Sequence, residues 1–262
     1  MHSWELPSAT PPTKFLTLPV ELRLRIAEYA LEQHPAAGIP HIGLHLPESK
    51  HQYRPSENLS LLRVCRQFEL DFTSLAYNKT RFTLWTEKDV TCIQGLPLRK
   101  LRSMRKLGFN PSSVRSERWT GTGSLDSYFC SLEQLRLDEL SIFWSHKWIQ
   151  MVDVRSLVLF LRRLRHVKTI KFVLYGKQER NRSDYCALVG AIMKEDHFQR
   201  YDALGAPNIE ATWWDWNLNT EGDIITFQAQ EPRPVLPEED YMLLMKPKVD
   251  ALMAEAEKAA AL

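Results

Sequence analysis

Four histidines, His34, His41, His45 and His51, fall in one Pro- and Gly-rich stretch, and the spacing of His41 and His45 is one that metal ligands use. A tetrahedral zinc site needs four placed ligands, and neither a cysteine nor a carboxylate pair completes this set. The stretch therefore points to a polar loop, with no metal. Glu69 and Asp71 stand two positions apart in a helical pattern, so they point to different sides and cannot work as a paired acid and base. No GxSxG, phosphate loop or dinucleotide fingerprint occurs, and Gly121-Thr122-Gly123 lacks the strand–turn–helix context such motifs require. The expectation is a protein that is not an enzyme, with no catalytic residues and no cofactor.

Two other groups invite a ligand. Arg99, Lys100, Arg102, Arg105 and Lys106 could meet phosphates, but Leu98, Leu101, Met104 and Leu107 interleave with them at core-packing spacing. The cations then belong on a solvated face, and no nucleic acid is expected. Arg162, Arg163, Arg165 and His166 close a helical stretch, where cations suit the negative end of the helix dipole. Trp213, Trp214 and Trp216 flank Asp215. On a strand Trp214 and Trp216 share one side, and core packing is the commoner use of such residues than an interface anchor.

The chain must supply elements to hold these groups. Its 262 residues, 44% hydrophobic and 25% charged with a net charge of +2, suit a folded soluble protein. That charge gives no general reason to bind nucleic acid or an anionic membrane. No run approaches the roughly 20 apolar residues of a membrane span, and Met1–Lys14 does not read as a secretory signal. Cys65, Cys92, Cys130 and Cys186 form no CxxC pair and read as buried free thiols of an intracellular protein, in cytoplasm or nucleus. Asn78-Lys79-Thr80 fits a glycosylation acceptor only by accident on that reading.

Residues 1–14 are expected as a disordered arm. Pro19, in the first turn, opens a helix that runs to about Leu31. Residues 32–58 form an irregular insertion, with one short strand around Ile39 to Leu46. Asn58 would cap a second helix, Leu59 to Tyr77, that Asn78 stops in a left-handed turn. Arg81 to Trp85 alternates as a strand. From about residue 94 short helices alternate with strands at Lys106–Phe109, Leu140–Trp144 and Val167–Tyr175, and a final pair, Ala211–Asn217 and Asp223–Ala229, could form an edge hairpin. Helices are expected over Trp148–Leu164 and Asp184–Tyr201. The fold class is α/β (mixed): N-terminal helices through residue 93, then an irregular, repeat-like α/β layer with a mostly parallel sheet over 94–230. A helical tail, broken near Pro247, takes up 231–262.

The first helix carries apolar residues on two sides. Val20, Leu24, Ala27 and Leu31 make one stripe, and Leu22, Ile26, Tyr29 and Ala30 lie nearly opposite. A helix packed on one side needs one stripe, so this one is sandwiched, by its own chain or by a partner.

Leu18-Pro19, Glu21-Leu22-Arg23, Leu61-Leu62, Val64-Cys65-Arg66-Gln67, Leu75, Tyr77 and Phe82 together resemble a fungal group of F-box-like proteins. That group reads as an LPxELR helix, a variable loop, then an LLxVCRQ helix and strand. The related two-EXR family shares Glu21-Leu22-Arg23, but its second Glu-x-Arg triplet is absent here. The resemblance covers roughly residues 15–85, within an F-box-like module expected over 15–93, and implies a binding role. Leu18, Pro19, Glu21, Leu22 and Ile26 would dock on the Skp adaptor of a cullin–RING ubiquitin ligase, while the α/β region recruits a protein substrate. Residues 32–58 exceed the usual separation of the two motifs and raise the alternative, a scaffold that keeps the segment only as part of its core.

Overall fold

A computed structural model describes residues 15–33, 55–85, 87–109, 135–145, 154–155, 157–158, 166–175, 181–203, 215–219, 224–231 and 234–260. The expected strand at 39–46, the four histidines of the insertion, Cys130, Gly121–Gly123, Arg162–Arg165, Trp213 and Trp214 lie outside them.

Helix α1 spans Val20–Ala30. Pro19 sits just before it rather than in its first turn, and its carbonyl accepts from the Leu22 and Arg23 amides, both at 3.1 Å. The second helix is not continuous. A short helix α2, Pro55–Leu59, passes into a 3₁₀ turn at Ser60–Arg63. Cys65 is extended, and α3 then runs Arg66–Lys79. Asn58 is therefore no cap. It lies within α2, and its side-chain amide donates to the Leu31 carbonyl (3.4 Å) and the Thr80 hydroxyl (3.2 Å). The interruption lets Leu59 and Leu62 pack against two apolar clusters at once, which a single straight helix would not allow. Asn78 is not a left-handed stop either. The helix continues to Lys79, and Thr80 turns directly into an extended conformation because strand β1, Arg81–Leu84, begins at the next residue.

Helices α4, Glu87–Gln94, and α5, Leu98–Ser103, lead to β2, Lys106–Phe109. Strands β3, Leu137–Ser145, and β4, Val167–Tyr175, follow. Of the expected helix at 148–164, residues 154–155 and 157–158 are described and helical. Helix α6, Asn181–His197, ends in a π turn at Phe198–Asp202. Strands β5, Asp215–Asn219, and β6, Ile224–Gln228, form an antiparallel pair, and α7 spans Glu238–Ala260.

The six strands form one sheet in the order β1-β2-β3-β4-β6-β5. β1 to β4 are parallel and sit side by side in chain order, and β6 joins β4 antiparallel. The mixed α/β class with a mostly parallel sheet is thus the architecture. Register explains why one face is greasy. Phe82, Leu107, Leu140, Ile170 and Phe227 stand level, and so do Leu84, Phe109, Ile142, Phe172 and Ile225. All ten are buried and form the main core with Tyr185, Val189, Ile192 and Met193 of α6.

The opposite face is polar over its first rows. Arg81 of β1 reaches past β2 to Glu139 of β3 at 2.6 Å, and Lys171 of β4 meets the other Glu139 oxygen at 2.6 Å. Burial acts to raise the Glu139 carboxyl, but Arg81, Lys171 and the Ser141 hydroxyl outweigh it and hold it below the usual carboxylate range. One row further on, Gly108 of β2 leaves a gap. The Phe143 ring fills it and stacks on Trp85 with centroids 5.4 Å apart. A Cβ at position 108 would lie 2.6 Å from two atoms of that ring.

Pro247 does not break the last helix. Proline removes one N–H, and the carbonyl four residues back belongs to Leu243, which is exposed and open to water. Tyr241 and Met245 before it, and Leu252 after it, are buried and hold both halves on the core. The cysteines also depart from expectation: among the described ones Cys186 is buried, Cys65 half-buried and Cys92 exposed, all free thiols.

Candidate functional site

The two stripes of α1 meet different surroundings. Ala27 and Leu31 are buried against Phe72 and Ala76 of α3, with Leu24 partly buried beside them. Phe15 adds an aromatic trio with Phe68 and Phe72 at centroid separations of 5.1 to 6.3 Å. This stripe closes a small core of its own. The other stripe is open: Leu22 is 49% exposed, Ile26 47% and Tyr29 71%.

Of the residues the resemblance singles out, Pro19, Glu21, Leu22 and Ile26 are exposed and Leu18 is half-buried. They lie on one short segment, with Leu16 and Val20 adding partly exposed apolar surface. Val20 belongs by spacing to the inward stripe, yet it sits in the first turn at the end of the α3 contact and stays 38% exposed.

Two ion pairs fix the rotation of α1 about its axis. Arg23 contacts Asp71 of α3 at 2.5 Å, and both side chains are only 11% exposed. Gln67, one turn earlier on α3, donates to the other Asp71 oxygen at 2.8 Å. At the far end Glu28 meets Lys79 at 2.7 Å, and that ammonium lowers the Glu28 carboxyl from its ordinary value. Arg23 stands on the flank between the two stripes, so the pair that holds it leaves Leu24 turned toward α3 and Leu22 toward water. By spacing alone Arg23 falls between the two stripes, and nothing within the helix marks it for this role. Its one available signal was an acidic residue, Asp71, on the next long helix, and nothing in a single sequence pairs the two.

What the described residues present here is an exposed apolar surface on a helix held to its own fold from the other side. Asp71 is committed to Arg23 and Gln67 and makes no acid–base pair with Glu69, which is exposed. Among the described residues no group of three histidine, cysteine or acidic side chains could hold a metal ion. No described helix is long and apolar enough to cross a membrane. Trp216 is half-buried and packs against the main core. In the basic stretch Leu101, Met104 and Leu107 are buried as their spacing predicts, whereas Leu98 is 42% exposed.

Comparison with protein-family models, curated proteins and solved structures finds no match.

Proposed function

We propose that this is a non-enzymatic protein-interaction protein whose α1 face docks the Skp adaptor of a cullin–RING ubiquitin ligase, leaving the α/β layer to engage a protein substrate. The observation that carries the reading is the open apolar stripe of Leu22, Ile26 and Tyr29, back to back with a buried one on the same short helix. Three apolar side chains on one helix face are an anchor set of the kind a partner's groove accepts. Burying what remains exposed of Leu22 and Ile26 would contribute on the order of 1 kcal/mol each. The LPxELR and VCRQ resemblance names the partner.

The test is co-purification with the Skp adaptor. Leu22→Asp with Ile26→Asp should abolish recovery while leaving the circular dichroism spectrum and melting temperature nearly unchanged, because both side chains already face water. Ala27→Asp, one residue away but 3% exposed, should unfold the module. No adaptor recovered with the wild-type chain, or full recovery with the double variant, refutes the proposal. Unfolding of the double variant would favour the scaffold alternative. The aromatic trio and the Arg23–Asp71 pair, which tie this segment into its own fold, give that alternative its support.

A further inference from the structure

A second surface on the described chain has a strong charge bias. The C-terminal end of α5 abuts the start of β2, and the starts of β3 and β4 lie beside it in register. Cations gather along this edge. Arg99 and Arg102 stand three apart on one face of α5, both exposed. Arg105 follows and donates to the Arg136 carbonyl at 2.6 Å, which places the two residues side by side. Arg136 is exposed just ahead of β3, and His166 and Lys168 are exposed at the start of β4.

Among the described residues two acids stand at this edge. Asp138 is answered by Lys168 at 2.7 Å, and Glu231 follows the strand that bonds to Lys168 through the Ala229 amide. Among the described residues Arg99, Arg102 and Arg136 have no ion pair, so the edge keeps a positive excess that the whole chain, at +2, does not have.

We infer that this edge is a docking strip for an acidic, extended segment of a partner protein. Charge complementarity sets the sign of the partner. The guanidinium groups set its chemistry, because arginine forks match carboxylates in paired hydrogen bonds. Size sets the class. Three adjacent strands span about 10 Å and six helical residues about 9 Å, a length that some six extended residues cover. Single-stranded nucleic acid asks for aromatic platforms beside the cations. Tyr77, the described ring that lies beneath Lys100 at 5.8 Å, is buried and offers no base a free face. The strip is built from other residues than the α1 stripe, and this inference does not depend on adaptor docking.

The test uses the full chain and a fluorescein-labelled peptide of roughly ten residues alternating Glu and Gly, read by anisotropy at low and physiological salt. Saturable binding that weakens with salt is expected. Arg99→Glu, Arg102→Glu and Arg136→Glu together should weaken it at least about tenfold, and since all three are exposed the variant should fold. Leu22→Asp with Ile26→Asp should leave peptide binding unchanged, which separates failure here from failure of the adaptor reading. Absence of saturable binding, or equal binding by the triple variant, overturns the inference. Tighter binding of a single-stranded oligonucleotide of equal charge overturns the assignment to a protein. Binding of a phosphoserine peptide alone overturns the assignment to carboxylates.

Discussion

Arg23→Met isolates the clamp that orients α1. The guanidinium and its partner Asp71 are each 11% exposed, and removing one leaves the other charge largely desolvated. Breaking a buried pair in this way costs about 3–5 kcal/mol. The residual exposure and the surviving Gln67 hydrogen bond reduce this, so about 2–4 kcal/mol is expected. For a chain of this size that corresponds to a melting temperature lower by roughly 5–15 °C. Arg23→Met with Asp71→Leu should recover to within about 1 kcal/mol of wild type, because no charge is then left behind and the pair's own net contribution is small. Urea denaturation followed by circular dichroism gives all the corners of the cycle, with Asp71→Leu alone as the fourth. Hydrogen exchange of the α1 amides reports whether the loss is local. A single Arg23→Met variant within 0.5 kcal/mol of wild type, or single losses that simply add in the double, would refute the clamp.

Two further outcomes concern the polar face of the sheet. Gly108→Ala should cost about 1–3 kcal/mol by forcing the Phe143 ring off Trp85, and Phe143→Leu in the same chain should recover most of it; thermal melts and the near-ultraviolet spectrum of Trp85 check both. The Glu139 carboxyl sits below its ordinary value of 4.5 in the folded protein, so its contribution is fully present above that value and drains away as the pH falls through the lower folded one. Glu139→Gln should remove this part of the acid dependence, which pH-resolved urea titrations would show as a flatter profile below about 4.5.

The sheet was readable because its signals are local. Phe82 and Leu84, or Leu107 and Phe109, alternate within a few residues, and a continuous strand such as Val167–Tyr175 ends where its apolar run ends. The boundaries that failed depend on contacts far along the chain. Asn58 looks like a cap until Leu31 and Thr80 claim its side chain. Pro247 looks like a break until Met245 and Leu252 hold both flanks. Helix α4 went unseen because eight residues with a single short apolar run carry too little periodicity. At the candidate site the two stripes were plain from spacing, but which one faced inward was decided by α3, through Phe72, Ala76 and Asp71. No pattern within α1 itself carries that information.

The strand order has a consequence for synthesis. As the chain leaves the ribosome, β2, β3 and β4 each emerge to find their neighbour already made, so the parallel part can grow by addition to one side. β5 is the exception: it is translated before β6 but lies outside it, and has no backbone partner until the later strand arrives. Until then β4 is left with a bare flank, which makes a nascent chain halted between Asn219 and Ile224 the stage most open to pairing with the wrong strand.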